Sequence, residues 1–271
     1  MSEGASDDGL RARVAAVPWY HTIELPGGIV TPGEYDLRPT VAKVRFPESL
    51  EGKRCLDVGT HDGFWAFEME RRGAASVTAI DVADLSELDW PVAVPPFSPE
   101  AREELARRRG AFTVAQEALG SAVERAEISV YDLAPERVGT FDFAFFGTLL
   151  HHLRDPVGAL AAVRRVVHGQ LLVCAVFCVS KTLLYPSTPV VELFEGRQPF
   201  WNYPNIAGLR RQVESAGWTV VATGRPFLER FGAGPRWPAQ LPGWRNVPRR
   251  AMFRVGVPHV WLLAEPFAPG P

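Results

Sequence analysis

The 271-residue sequence is poor in sulfur, with three cysteines and three methionines, and poor in net charge, which stands at −2. Each shortage excludes something. Cys55, Cys174 and Cys178 are odd in number and lie in apolar stretches without zinc-ligand spacing to the histidines, so neither a disulfide framework nor a metal centre is expected. Buried free thiols in a reducing compartment are the simpler reading. A balance of 29 basic against 31 acidic residues offers no global attraction to nucleic acid or anionic lipid. Arg107-Arg108-Arg109 and Arg249-Arg250 are short runs of the kind carried by solvated helix faces and loop ends. No apolar run approaches the ~20 residues that a membrane span needs. The opening MSEGASDDG is acidic and small, without the basic-then-apolar order of a secretory signal, and a cytoplasmic location is expected.

What is present is alternation. Residues 1–9 read as unstructured, a short helix is predicted from Leu10 to Ala16, and PWYHTIELPGGIVTPG follows as an irregular lead-in with Pro-Gly and Gly-Gly turn signals. Residues 1–48 thus form an expected N-terminal lead-in or lid, and 49–271 the main domain. RCLDV reads as a buried strand, FWAFEMERRG as a helix stopped at Gly73, and SVTAIDV as a second strand. Ser98-Pro99-Glu100 has the form of a cap followed by proline at the first helical position. AEISVYDL and FDFAFF are the third and fourth strands, the latter apolar enough to be covered on both faces. Asp155-Pro156 opens a helix closing near Gly169, and QLLVCAVFCV is the fifth strand. IAGLRRQVESAGW is an amphipathic helix ending near Gly217, and WTVVATG is a strand. A Pro- and Trp-rich insertion at about 226–250 reads as a lid or long loop. FRVGVPHVWLLAEP then returns as an antiparallel strand at or near the edge. The pattern predicts an α/β fold built on a doubly wound, mostly parallel, seven-stranded sheet.

LDVGTHDGF, from Leu56 to Phe64, stands at the end of the first strand. In an open α/β sheet the ligand binds beyond the carboxyl ends of the strands, where the strand order reverses. Gly59 and Gly63 supply backbone freedom there. Asp81 ends the second strand, where a carboxylate accepts both ribose hydroxyls of an adenosine. A dinucleotide loop lays its backbone against a pyrophosphate, which Asp57, two residues before the first glycine, would repel. The same carboxylate suits a sulfonium or an ammonium group. S-adenosylmethionine carries both and is the expected cofactor; an NAD(P)-dependent oxidoreductase is the alternative.

In LDVGTHDG with Asp81, SVYDL, FDFAFFGTLLHHLRDP and NYPNIAGLRRQVESAGW, the chain resembles class I S-adenosylmethionine-dependent methyltransferases. More narrowly, it resembles the group related to tRNA wobble-uridine (carboxymethoxyuridine-forming) enzymes, to whose lead-in WYHTIELPGGIVTPG is also similar. The resemblance spans about Trp19 to Val221 and implies a Rossmann-like methyltransferase fold. It implies that Asp57, Gly59, Thr60, His61 and Gly63 hold the methionine part and that Asp81, with Val82 beside it, binds the ribose. Ser129, Val130 and Tyr131 would flank the adenine, and Phe146 and Gly147 would pass beneath the sulfonium. Thr60 and His61 stand where the superfamily commonly has Cys-Gly; contacts there are made by main chain, so His61 bears on the shape of the loop more than on its ligand.

Methyl transfer is an in-line displacement in which the protein mainly aligns the partners. An oxygen nucleophile also needs a proton acceptor, and histidine has a suitable pKa. His151 and His152 follow the fourth strand, on the rim where the methyl group would lie. Adjacent residues of a helical turn point about 100° apart, so one of them faces the substrate, with His151 favoured. The competing reading makes both structural. His21 is the third candidate base if the lead-in folds over the cleft, and a surface residue otherwise. Tyr20, Trp90, Phe200, Trp201 and Tyr203 are placed to line an apolar acceptor pocket, and Asn205 reads equally as substrate contact or helix cap. The expected acceptor is a small molecule, a sugar or specialised metabolite with a free hydroxyl; tRNA is the alternative. Neither nucleic acid nor membrane is an expected partner, and no oligomeric state is assigned.

Overall fold

The computed structural model describes residues 3–83, 87–91, 99–194, 200–234 and 256–268. The lead-in contains α1 (Glu3–Ala16), β1 (Glu24–Leu25), β2 (Ile29–Val30), β3 (Tyr35–Asp36) and the single turn α2 (Arg38–Val41). The first half of the main domain runs β4 (Arg54–Val58), α3 (Phe64–Arg71), β5 (Ser76–Asp81), α4 (Pro99–Leu119), β6 (Glu124–Glu127), α5 (Pro135–Val138) and β7 (Phe141–Gly147). The second half runs α6 (Pro156–Val166), β8 (Val167–Val176), α7 (Val179–Leu184), β9 (Val191–Leu193), β10 (Asn202–Pro204), α8 (Ile206–Ser215), β11 (Trp218–Thr223), β12 (Phe227–Phe231) and β13 (Val257–Pro266).

The main sheet follows the order β3-β12-β13-β8-β7-β4-β5-β6, with β11 also on β13. Strands β6, β5, β4, β7 and β8 are parallel to one another. β13 runs antiparallel to β8, β11 and β12. The fold is therefore the expected doubly wound one, but with nine strands among the described residues rather than seven. Two causes account for the difference. β11 and β12 share one edge of β13, with Thr223 opposite Leu262 and Phe227 opposite His259, so they are one strand position broken in two. Pro226, which has no amide hydrogen to give a ladder, sits in the break. β3 of the lead-in then pairs with β12 and extends the edge.

Side chains alternate between the two faces of the sheet, and both faces are covered. Leu56, Val58, Ala144, Phe146, Leu171 and Val173 enter one core with Leu160 and Val163 of α6 and Leu209 and Val213 of α8. Cys55, Phe143, Phe145, Leu172 and Cys174 enter the other, with Trp65 and Met69 of α3 and Phe112 and Ala115 of α4. The lead-in is irregular in course, as its turn signals indicate, yet it is packed into this second core through Trp19, Ile23, Leu25, Ile29 and Leu37. Burying a side chain of that size is worth roughly 1.5–3 kcal/mol, enough to hold a segment with little ladder of its own.

Several local expectations are corrected. The first helix starts at Glu3, not Leu10, because it packs along α4. The third strand ends at Glu127: the Ile128 amide still bonds Asp81 O at 2.8 Å, and Ser129 to Asp132 then close a tight turn. α6 ends at Val166 and β8 begins at once, so Gly169 lies in a strand, where a Cβ would sit 1.9 Å from Asp142 O. Cys178 caps α7 instead of ending a strand. Phe227–Phe231, expected in a loop, is β12. The rest of that insertion from 235, and Ser98, lie outside the described residues. No helix among the described residues is long and apolar enough to cross a membrane.

Candidate active site

The strand order reverses beside β4, whose neighbours are β5 on one side and β7 on the other. The carboxyl ends of β4 and β7 therefore open the crevice that such sheets use for ligands. The loop after β4 is pinned by two amides, of Gly59 and Thr60, that both donate to Ile80 O at 3.0 Å. Left-handed φ values alternate along it, at Gly59 (77°), His61 (56°) and Gly63 (93°). Gly63 has no room for a side chain, since a Cβ would lie 2.5 Å from the Phe67 ring. His61 takes the conformation that a glycine takes easily. Its amide donates to Asp81 Oδ2 at 3.0 Å, and its ring stacks on Tyr20 with centroids 4.1 Å apart. That amide is thus engaged within the protein, unlike the open donor expected for a cofactor. Asp81 also accepts from the Val82 amide at 2.9 Å and stays half-buried, with Arg125 4.0 Å away.

Three charged groups are buried around this loop. Asp57 is 2% exposed; burial pushes its carboxyl up to about 7, against the pull of the Thr60 hydroxyl and the His21 charge. Its Oδ2 is buried without a hydrogen-bond partner among the described residues. Asp62, which the sequence reading did not single out, receives the amides of Tyr20 and His21 at 2.9 and 2.7 Å and the His21 ring Nδ1. Burial would lower the His21 pKa, but the Asp62 charge and hydrogen bond outweigh it and the net shift is upward. Burial alone would raise Asp62, and the His21 charge and hydrogen bonds bring it down. Each partner favours the other's charged form, and the pair locks the lead-in onto the loop, so His21 is no surface residue. Burial also lowers His61 to about 4, outweighing the nearby Asp81 and Asp62 charges.

On the far side of the crevice, His151 is buried and His152 half-buried, with ring centroids 3.9 Å apart and Phe200 packed on both. Burial, then the neighbouring His152 and His259, holds the His151 imidazole well below its ordinary pKa. Trp201 donates its indole N–H to Asp89 O, and Asp89 accepts from the Tyr131 hydroxyl and the Arg154 amide, each at 2.7 Å. Asp89 thereby gathers the loop holding Trp90, the turn of Ser129, Val130 and Tyr131, and the segment after His152. Phe146 is fully buried beneath, and Gly147 is half-buried at the strand end. Tyr203 is buried against Phe194. Asn205 is a helix cap: it accepts from Gly208 and Val190 amides and donates to Tyr185 and Thr188 carbonyls, leaving no group for an acceptor. Three further residues meet here without any local signal in the sequence, namely Thr148, Glu229 and His259. An apolar groove lined by Phe177, Val179, Leu183, Phe227 and Pro258 adjoins them.

Fold and crevice define an α/β protein that binds its ligand beyond the carboxyl ends of a doubly wound sheet. The family described as "Methyltransferase domain" matches residues 33–223, more than half of the chain, and the chain belongs to that family. It is 32% identical over 118 residues to a ubiquinone biosynthesis O-methyltransferase of Neisseria meningitidis serogroup C, covering 44% of this chain and 41% of that protein. The protein of the same name from Paracidovorax citrulli matches at 32% over 118 residues, covering 44% and 40%. The matched stretch thus spans about two fifths of these relatives' length. Among solved structures, the N-terminal domain of EvdMO1, crystallised in the presence of SAH and D-fucose, aligns with a TM-score of 0.56 over 98% of each chain. At 18% identity that likeness shows the fold.

Proposed function

We propose that this chain transfers the methyl group of S-adenosylmethionine to a hydroxyl of a small molecule, a sugar or specialised metabolite. The observation that carries the reading is Asp57: a carboxylate at the end of β4, buried, with one oxygen unpartnered. A buried, unpaired carboxylate costs several kcal/mol, and a cationic ligand in the crevice offsets that cost. When bound, the cofactor supplies an electrophilic methyl on a positively charged sulfur. Asp57 holds the cationic amino-acid end, Gly59, Thr60 and Gly63 shape the loop around it, and Asp81 receives the ribose hydroxyls. Ser129, Val130 and Tyr131 flank the adenine. Phe146 and Gly147 form the floor, and Tyr20, Trp90, Trp201 and Tyr203 exclude water around the acceptor. The adjoining groove gives the acceptor an apolar surface.

Net charge argues for a small molecule over tRNA, as does the number of arginines engaged within the protein. Arg38, Arg72, Arg125 and Arg154 face Asp36, Glu68, Asp81 and Asp89 rather than forming a phosphate-binding stripe. The test is transfer of labelled methyl from S-adenosylmethionine into cell extracts, with product identification. A methyl ether on a small molecule is expected; label confined to tRNA, or absent, contradicts the reading.

A further inference from the structure

We propose that Thr148, His259 and Glu229 form a proton relay that deprotonates the acceptor, which defines the acceptor as an alcohol too weakly acidic to ionise unaided. The inference rests on the methyl-transfer reading above. Thr148 directly follows β7 at the switch point and takes a φ of 47°. A β-branched residue is an outlier in that region, at a cost of about 1–3 kcal/mol. Its amide donates to Cys174 O at 2.7 Å, and its Oγ1 lies 3.1 Å from His259 Nε2. His259, at the start of β13, is 0% exposed. Its Nδ1 donates to Val257 O at 2.9 Å, which selects the tautomer whose Nε2 accepts a proton. Glu229 of β12, 6% exposed, places Oε1 3.8 Å from the same Nε2. Of the three, Thr148 alone is partly exposed and is the end that meets an acceptor.

The relay balances as follows. The acceptor hydroxyl donates to Thr148 Oγ1 while the threonine hydroxyl donates to His259 Nε2. As the acceptor oxygen bonds the methyl carbon, the methyl–sulfur bond breaks and its electron pair stays on sulfur. The acceptor proton moves to Thr148 Oγ1 and the threonine proton to His259 Nε2. The resulting imidazolium rests beside the Glu229 carboxylate until water takes its proton. His151, from the turn after β7, also faces His259 but has no carboxylate beside it among the described residues. Cys174 of β8 and Tyr20, His21 and Tyr35 of the lead-in face Glu229.

The test uses labelled S-adenosylmethionine with the hydroxyl-containing small-molecule fraction of a cell extract. Turnover is followed for the wild type, Thr148→Ser, Thr148→Ala, His259→Asn and Glu229→Gln, with S-adenosylhomocysteine affinity measured alongside. Thr148→Ser is expected to stay within about threefold, because it restores the hydroxyl. Thr148→Ala and His259→Asn are expected to lose about 10²–10⁴-fold in turnover with cofactor affinity kept. Unchanged turnover in both variants overturns the relay and leaves methyl transfer standing. No transfer by the wild type overturns the methyl-transfer reading, and the relay with it. If His259→Asn does not fold, the Thr148→Ser and Thr148→Ala pair decides alone.

Discussion

Asp57 is held between two demands. Burial lifts its pKa to about 7, while the proposed ligand is a cation that needs it ionised. Because the folded-state value is raised above 3.8, folding favours the protonated acid, and stability falls as pH climbs from about 4 to 7. Ligand affinity moves the other way, rising as the carboxylate forms. The ionised fraction of a group with that pKa grows about tenfold from pH 6 to pH 8. S-adenosylhomocysteine, which keeps the ammonium group, is expected to bind about tenfold more weakly at pH 6 than at pH 8 by titration calorimetry. Asp57→Asn should abolish that dependence and melt higher than wild type at pH 8. An equal dissociation constant at both pH values contradicts this role. The strand-end positions of Asp57 and Asp81 were legible because the glycine loop and the second strand follow a short distance along the chain. Thr148 and His259 were not: they are 111 residues apart, and only the antiparallel return of β13 brings them together.

Among the elements, the lead-in was read correctly in its turns and incompletely in its packing. Pro-Gly and Gly-Gly signals are local, whereas the contacts that seat the segment, its apolar packing and its hydrogen bonds to Asp62, are made with other elements. Asp62 and His21 are both buried, each favours the other's charged form, and removing one partner strands the other. Asp62→Asn is expected to cost about 3–5 kcal/mol of unfolding free energy in urea. The pair's contribution has a definite pH window. With His21 raised above 6.5, its share is full below that value and is lost as pH rises through the raised pKa. With Asp62 lowered below 3.8, its share is full above that value and is lost as pH falls through the lowered pKa. A loss under about 1 kcal/mol at pH 6 would mean that apolar packing alone seats the lead-in. Asn205 shows the opposite case: of its two readings, substrate contact or cap, the cap depends only on its own helix, and the bond from the Gly208 amide makes it one.

At the scale of the whole molecule, alternation of strand and helix was enough to identify a doubly wound sheet, because both periodicities are written along the chain. Strand count was not legible. The break between β11 and β12 and the added β3 depend on pairing at one edge, which periodicity does not encode. What the sheet builds is a crevice at the reversal of strand order, with Asp57 and Asp81 at its strand ends. The central claim is that this crevice binds the sulfonium cofactor and not a dinucleotide. Calorimetric titration of the full chain with S-adenosylhomocysteine and, separately, with NADH tests it most directly. The account predicts saturable binding of S-adenosylhomocysteine, about tenfold weaker in Asp57→Asn at pH 8, and no binding of NADH; tight NADH binding without S-adenosylhomocysteine binding would contradict it.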